Sequence, residues 1–205
     1  MNTLEGDNKA ITAAGVNYVE VEGEQLLTLL EGVSSHAGRD KSLPVLNSVQ
    51  LVGEGGDLIA RATDRYRLIE GTLKSLDGRL DVSLVSLDDI KRIITLCKEH
   101  KLHRVQLSRI GDALTVSSLG DAITFTLRDG TFPPTEELFL KCEGEPVAVE
   151  GVAFNPALMA DYAKIAGKRA AIKLYFTGEG KPMRVRITGD TITWRALLMP
   201  MRYAD

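Results

Sequence analysis

His36, His100, His103, Cys97 and Cys142 are the side chains best able to do acid–base, nucleophilic or metal chemistry. Their spacing offers none of it. The three histidines are scattered, His100 and His103 flank a lysine-rich segment, and all three read as surface residues. The cysteines fall in unrelated contexts without metal-ligand spacing, and a reduced, cytoplasmic protein is the simplest expectation for them. Asp64 and Asp129 each sit in a turn motif rather than as a carboxylate pair. The run Gly53-Glu-Gly-Gly-Asp57 has no following Lys-Ser/Thr and opens no helix. It reads as a hairpin turn rather than a phosphate cradle. The sequence therefore predicts no enzyme, no cofactor and no metal.

Recognition chemistry is better supported. Ala62-Thr-Asp-Arg-Tyr-Arg-Leu68 and Leu197-Leu-Met-Pro-Met-Arg202 combine apolar and basic side chains. Brought together, they would form an exposed apolar groove with a basic rim, the kind of surface that marks a partner site. Met199 and Met201 are polarizable and adaptable, which suits a groove for short peptides. Arg67 and Arg202 could hydrogen-bond peptide backbone or carboxylate groups.

The elements that must hold these segments recur three times. Asn17 to Glu22 alternates as a strand, Gly23 to His36 carries Leu26, Leu27, Leu30 and Val33 at helical spacing, and strands follow at 48–53, 58–62 and 66–73. A strand at 79–85, a helix from Leu87 to about His100 capped by Ser86, and strands at 104–107, 113–117 and 122–127 repeat the order. A third copy has a strand at 146–153, a helix opened by Asn155-Pro156 and stopped by Gly167, and strands at 171–176, 183–187 and 191–197. Helix starts are spaced by about 64 and 68 residues. Such a period predicts an internally repeated α+β fold of β-α-β-β-β units.

These boundaries give a lead-in over 1–16, a two-unit domain over 17–130, a linker over 131–145 and a single-unit half-domain over 146–205. At 205 residues the chain is long enough for a core without staples. Its 44% hydrophobic and 26% charged content is that of an ordinary soluble protein. The first sixteen residues lack an apolar run, so neither a signal peptide nor a membrane partner is expected. Net charge is −3, which argues against coating nucleic acid with the whole surface but permits a local basic face.

The two recognition segments, together with Leu127-Arg-Asp-Gly130-Thr-Phe132-Pro133, resemble the bacterial DNA polymerase III β sliding clamp family. The resemblance runs from about Asn17 to Tyr203 and matches a middle domain joined to the second half of a last domain. It implies a DNA-clamp fold with helices on one face and antiparallel sheet on the other. It also implies a processivity or recruitment role in DNA replication. The family's peptide pocket carries over onto Leu46, Thr63, Arg65, Tyr66, Arg67, Leu68, Leu197, Leu198, Met199, Pro200, Met201 and Arg202. Phe139 and Leu140 would supply its floor. Arg65-Tyr66 replaces the family's Gly-His, adding bulk and charge at the rim. The partners implied are DNA polymerase, other proteins with clamp-binding motifs, and a clamp loader.

Sequence-independent contact with double-stranded DNA would come from cations opposite the core stripes: Lys91, Arg92, Lys98, Lys164, Lys168 and Arg169, with Arg39 and Lys41 in a loop. Three units per chain is an odd number, and four chains would supply the twelve units of a closed ring, so a homo-oligomer is expected. The short form suggests a bacteriophage or mobile-element origin. The alternative is a non-encircling interaction module that binds replication or transcription proteins through the same pocket.

Overall fold

The computed structural model describes residues 17–166, 171–178, 180–189 and 191–202. The lead-in, Gly167, Lys168 and Arg169 lie outside them. The first unit is β1 (Asn17–Glu22), α1 (Gly23–Ser34), β2 (Ser48–Glu54), β3 (Asp57–Thr63) and β4 (Arg67–Lys74). The second is β5 (Asp77–Ser86), α2 (Leu87–Glu99), β6 (Arg104–Ile110), β7 (Ala113–Ser118) and β8 (Asp121–Thr126). Then come α3 (Thr135–Lys141), α4 (Pro156–Ala166), β9 (Ile172–Tyr175), β10 (Met183–Thr188) and β11 (Ile192–Leu198).

All the strands join in one antiparallel sheet of order β8-β7-β6-β1-β5-β2-β3-β4-β11-β10-β9. The expected α+β architecture is present, and the sheet order explains it. Each complete unit lends its first strand to the other: β1 pairs with β6, β5 with β2, and β1 and β5 with each other. The third unit enters from the opposite edge, where β11 pairs with β4.

Period-2 alternation sends Val19, Val21, Val49 and Leu51 inward to complete burial. The helical stripes Leu26, Leu29, Leu30 and Val33 of α1 and Ile90, Ile93 and Cys97 of α2 cover them. Ser86 caps α2 as its sequence predicts, its Oγ accepting the Asp89 N–H at 3.1 Å. The β2–β3 hairpin turns through Gly55 and Gly56, at φ 62° and 80°, the double left-handed geometry that favours glycine.

Three expectations need correction. Residues 146–153 are not a strand; only Ala153 forms a bridge, to Met201. In β1 and β5 the equivalent segment is held by the companion unit, and within the described residues the third unit has none. The 131–145 segment is not a bare connector, because it contains α3, which packs on the sheet face opposite the other helices. His36 is not a surface residue; it is completely buried.

Candidate peptide-docking site

The turn between β3 and β4 is organised by Asp64. Its Oδ1 accepts the backbone N–H groups of Tyr66 and Arg67, both at 3.0 Å, while Thr63 Oγ1 donates to the Arg67 carbonyl at 2.7 Å. Arg65 is left at φ 78°, a conformation that costs a side chain-bearing residue about 1–2 kcal/mol. Tyr66 is turned outward and is 64% exposed. Its carbonyl accepts the Met199 N–H at 2.8 Å.

That last bond ties the two recognition segments together. Strand pairing sets Leu68 opposite Leu197 and Arg67 opposite Leu198. Leu68 and Leu197 face away from the main core and form a second small cluster with Phe139 and Cys142. Phe139 covers Leu68 and Leu197 there, whereas Leu140 is 56% exposed. Beyond β11 the chain leaves the sheet, exposing Met199 and Met201. These two, with Pro200, Arg202 and residues 151–153, line an open cleft of about 470 Å³.

Arg67 is not the rim donor expected of it. Alternation puts it on the helix side of the sheet, where it is buried. Its Nε donates to Asp64 Oδ2 at 2.9 Å, one terminal nitrogen to Asp161 Oδ2 at 2.6 Å, and the other to the Ser35 carbonyl at 2.7 Å. One guanidinium thus pins the docking turn to the end of α1 and to α4. Burial opposes ionisation of Asp161, but the bonds from Lys164 and Arg67 prevail and hold its carboxyl below the usual range.

Beside this knot, His36 stacks on Tyr162 with ring centroids 5.3 Å apart. Burial, reinforced by the Arg67 charge, lowers the His36 pKa to about 3, so the ring is neutral. Its Nδ1 lies 2.9 Å from Ser35 Oγ and 3.2 Å from the Gly32 carbonyl. On the outer face, Glu70 is buried between Arg61 and Arg195, each at 2.6 Å. Arg195 also bonds Glu136 of α3 and lies 4.1 Å over the Phe139 ring. Sequence reading missed Ser35, Asp161, Glu70 and Arg195. Strand alternation held the one usable signal, since Leu68 in an outward groove requires its neighbour Arg67 to point inward.

Leu46 stands apart from the cleft: its carbonyl accepts the Gly38 N–H at 2.8 Å in the loop after α1. The candidate DNA-facing cations are exposed but mostly neutralised locally. Lys41 and Lys91 share Asp88 at 2.8 and 2.9 Å, Arg92 meets Asp89 at 3.4 Å, Lys98 meets Glu31 at 3.0 Å and Lys164 meets Asp161 at 2.7 Å. Neither cysteine is poised as a nucleophile. Burial pushes the Cys97 thiol up to about 12 and raises Cys142 as well. Among the described residues, no helix is long and apolar enough to cross a membrane.

No protein-family model matches this chain. The β sliding clamp of Micrococcus luteus is 26% identical over 188 residues, covering 90% of this chain and 60% of that protein. The "Beta sliding clamp homolog GriR" of Streptomyces muensis is 32% identical over 129 residues, covering 59% of this chain and 33% of its own length. The DNA polymerase III β subunit of Thermotoga maritima superposes with a TM-score of 0.78 at 17% identity, over 92% of this chain and 66% of that one. The chain resembles bacterial β sliding clamps in sequence and shares their fold. It spans about three-fifths of the Micrococcus relative. A Pseudomonas aeruginosa clamp bound to griselimycin has the same fold, with a TM-score of 0.75 at 17% identity, over 99% of this chain and 68% of that one.

Proposed function

We propose that this protein is a clamp-like processivity or recruitment factor of DNA replication that captures short peptides of polymerase and other DNA-handling proteins. The observation that carries this reading is the convergence of two segments about 130 residues apart, joined by the Met199–Tyr66 backbone bond and backed by Phe139. The docking surface is Arg65 and Tyr66 with Met199 to Arg202. Thr63, Leu68 and Leu197 are buried beneath it, Leu198 belongs to the main core, and Arg67 positions the turn from behind. Methionines exposed at a cleft offer adaptable apolar contact, and aliphatic or aromatic anchors supply the matching half. Residues 17–130 act as a complete clamp-like domain and 146–205 as a half-domain. In a ring of twelve units, four such chains would close around duplex DNA.

The test is direct titration of the chain with griselimycin, and with a fluorescein-labelled peptide carrying leucine and phenylalanine anchors. Saturable binding of both, each displacing the other, is the expected result. Binding of neither would remove the docking role.

A second reading is favoured by the paired cations: a non-encircling module that keeps the groove and holds no DNA. Ion pairing to Asp88, Asp89, Glu31 and Asp161 reduces the charge available for phosphates. Retention on closed circular DNA in high salt, lost on linearisation, separates the two, because a topological hold does not depend on phosphate contacts.

A further inference from the structure

The outer face of the third unit carries charge that the fold itself does not use. Alternation turns Lys173 of β9, Arg184 and Arg186 of β10 and Arg195 of β11 away from the core, on the side of α3. Strand register sets Arg186 directly opposite Arg195 on one side and Lys173 on the other. Like charges so placed, with Cβ atoms about 5 Å apart, repel each other and destabilise a sheet. Arg195 is compensated by Glu70 and Glu136. Arg186 and Lys173 are exposed, and neither they nor Arg184 joins an ion pair among the described residues. This excess of cations stands on a chain whose net charge is −3.

Arg184 strengthens the pattern. Its guanidinium lies 5.2 Å over the Tyr175 ring, and one terminal nitrogen donates to the Gly144 carbonyl at 3.2 Å. Its Nε is buried without a partner. Arg184, Arg186 and Arg195 line one depression together with Phe139 and Glu143.

We propose that this face docks a short, extended acidic segment of a protein partner. Alternate side chains on β10 stand about 6.6 Å apart, the spacing of alternate side chains in any extended chain. Carboxylates two residues apart on the partner would therefore meet Arg184 and Arg186, whose guanidinium forks suit carboxylate oxygens. Lys173 would take a third carboxylate beside Arg186, and the repulsion between these two cations would be relieved. Nucleic acid is the poorer match. Exposed Glu136 and Glu143 border the patch, so a long polyanion would run into them where a short segment would not. A single strand also needs open aromatic faces for stacking, and Tyr175 is covered by the Arg184 guanidinium.

Lys173, Arg184 and Arg186 do not line the Met199–Met201 cleft, so docking here needs no peptide in the groove. The test follows the backbone amide signals of the isotope-labelled chain by two-dimensional NMR. Titration with end-blocked hexaglutamate should shift the signals of Lys173, Tyr175, Arg184 and Arg186 saturably, less so as salt is raised, and leave β1 to β8 unmoved. In Lys173→Glu/Arg186→Glu both changes fall at exposed positions, so the rest of the spectrum should be preserved. Affinity for hexaglutamate should then fall about tenfold or more, because like charges face each other. A thymidylate hexanucleotide titrated in parallel is expected to bind more weakly. Absence of a saturable shift with hexaglutamate, equal affinity in the folded variant, or tighter binding of the oligonucleotide would overturn the proposal.

Discussion

Arg67 and His36 carry the sharpest consequences among single residues. Arg67 holds three elements through Asp64, Asp161 and Ser35 from a buried position. Arg67→Leu is expected to cost about 3–5 kcal/mol, because two carboxylates lose a buried partner. Urea unfolding measures this; a loss near zero would mean that the knot does not form. His36 titrates at 6.5 when unfolded and near 3 when folded. Its contribution is whole above the unfolded value and is lost as pH falls toward the folded one, at about 1.4 kcal/mol per unit. Between about pH 6.5 and 5, His36→Phe should flatten this part of the stability profile. Parallel profiles for the two proteins would contradict a buried neutral ring. Arg65→Gly should raise stability by about 0.5–1 kcal/mol by relieving the positive φ. Unchanged or reduced stability would place the strain elsewhere.

At the scale of elements, Trp194 is the joint between the third unit and the first. A Cβ added at Gly32 of α1 or Gly71 of β4 would run into its indole. Gly71→Ala is therefore expected to cost about 1–3 kcal/mol by overpacking, read by urea unfolding followed through the single tryptophan. Full stability in that variant would argue against this packing. The sequence made the elements legible wherever one period dominated: β1 by Val19 and Val21, α2 by Ile90, Ile93 and Cys97 with its Ser86 cap. It misread 146–153, because strand propensity says a segment can pair and not whether a partner exists. It also left α3 in a linker, since a seven-residue helix with only Thr135 and Phe139 buried has too little periodic signal. The two recognition segments stand out by residue type, but Arg67's place depends on tertiary contacts with Asp161 and Ser35 that local pattern does not encode.

For the molecule as a whole, three units per chain leave two sheet ends, β8 and β9. A ring of four chains would have to close through these ends. If that ring forms, protein loaded on closed circular DNA should survive high salt and leave when the circle is cut. Complete loss in salt would leave the groove as the working part of the protein. Ring or not, peptide docking depends on the groove. The measurement that tests it most directly is fluorescence anisotropy of the labelled leucine–phenylalanine peptide against the chain and its Met199→Ala/Met201→Ala variant. Both methionines are exposed, so unfolding should be unaltered while affinity falls about tenfold or more, the equivalent of about 1.4 kcal/mol. Unchanged affinity in a folded variant would contradict the assignment of this cleft as the docking site.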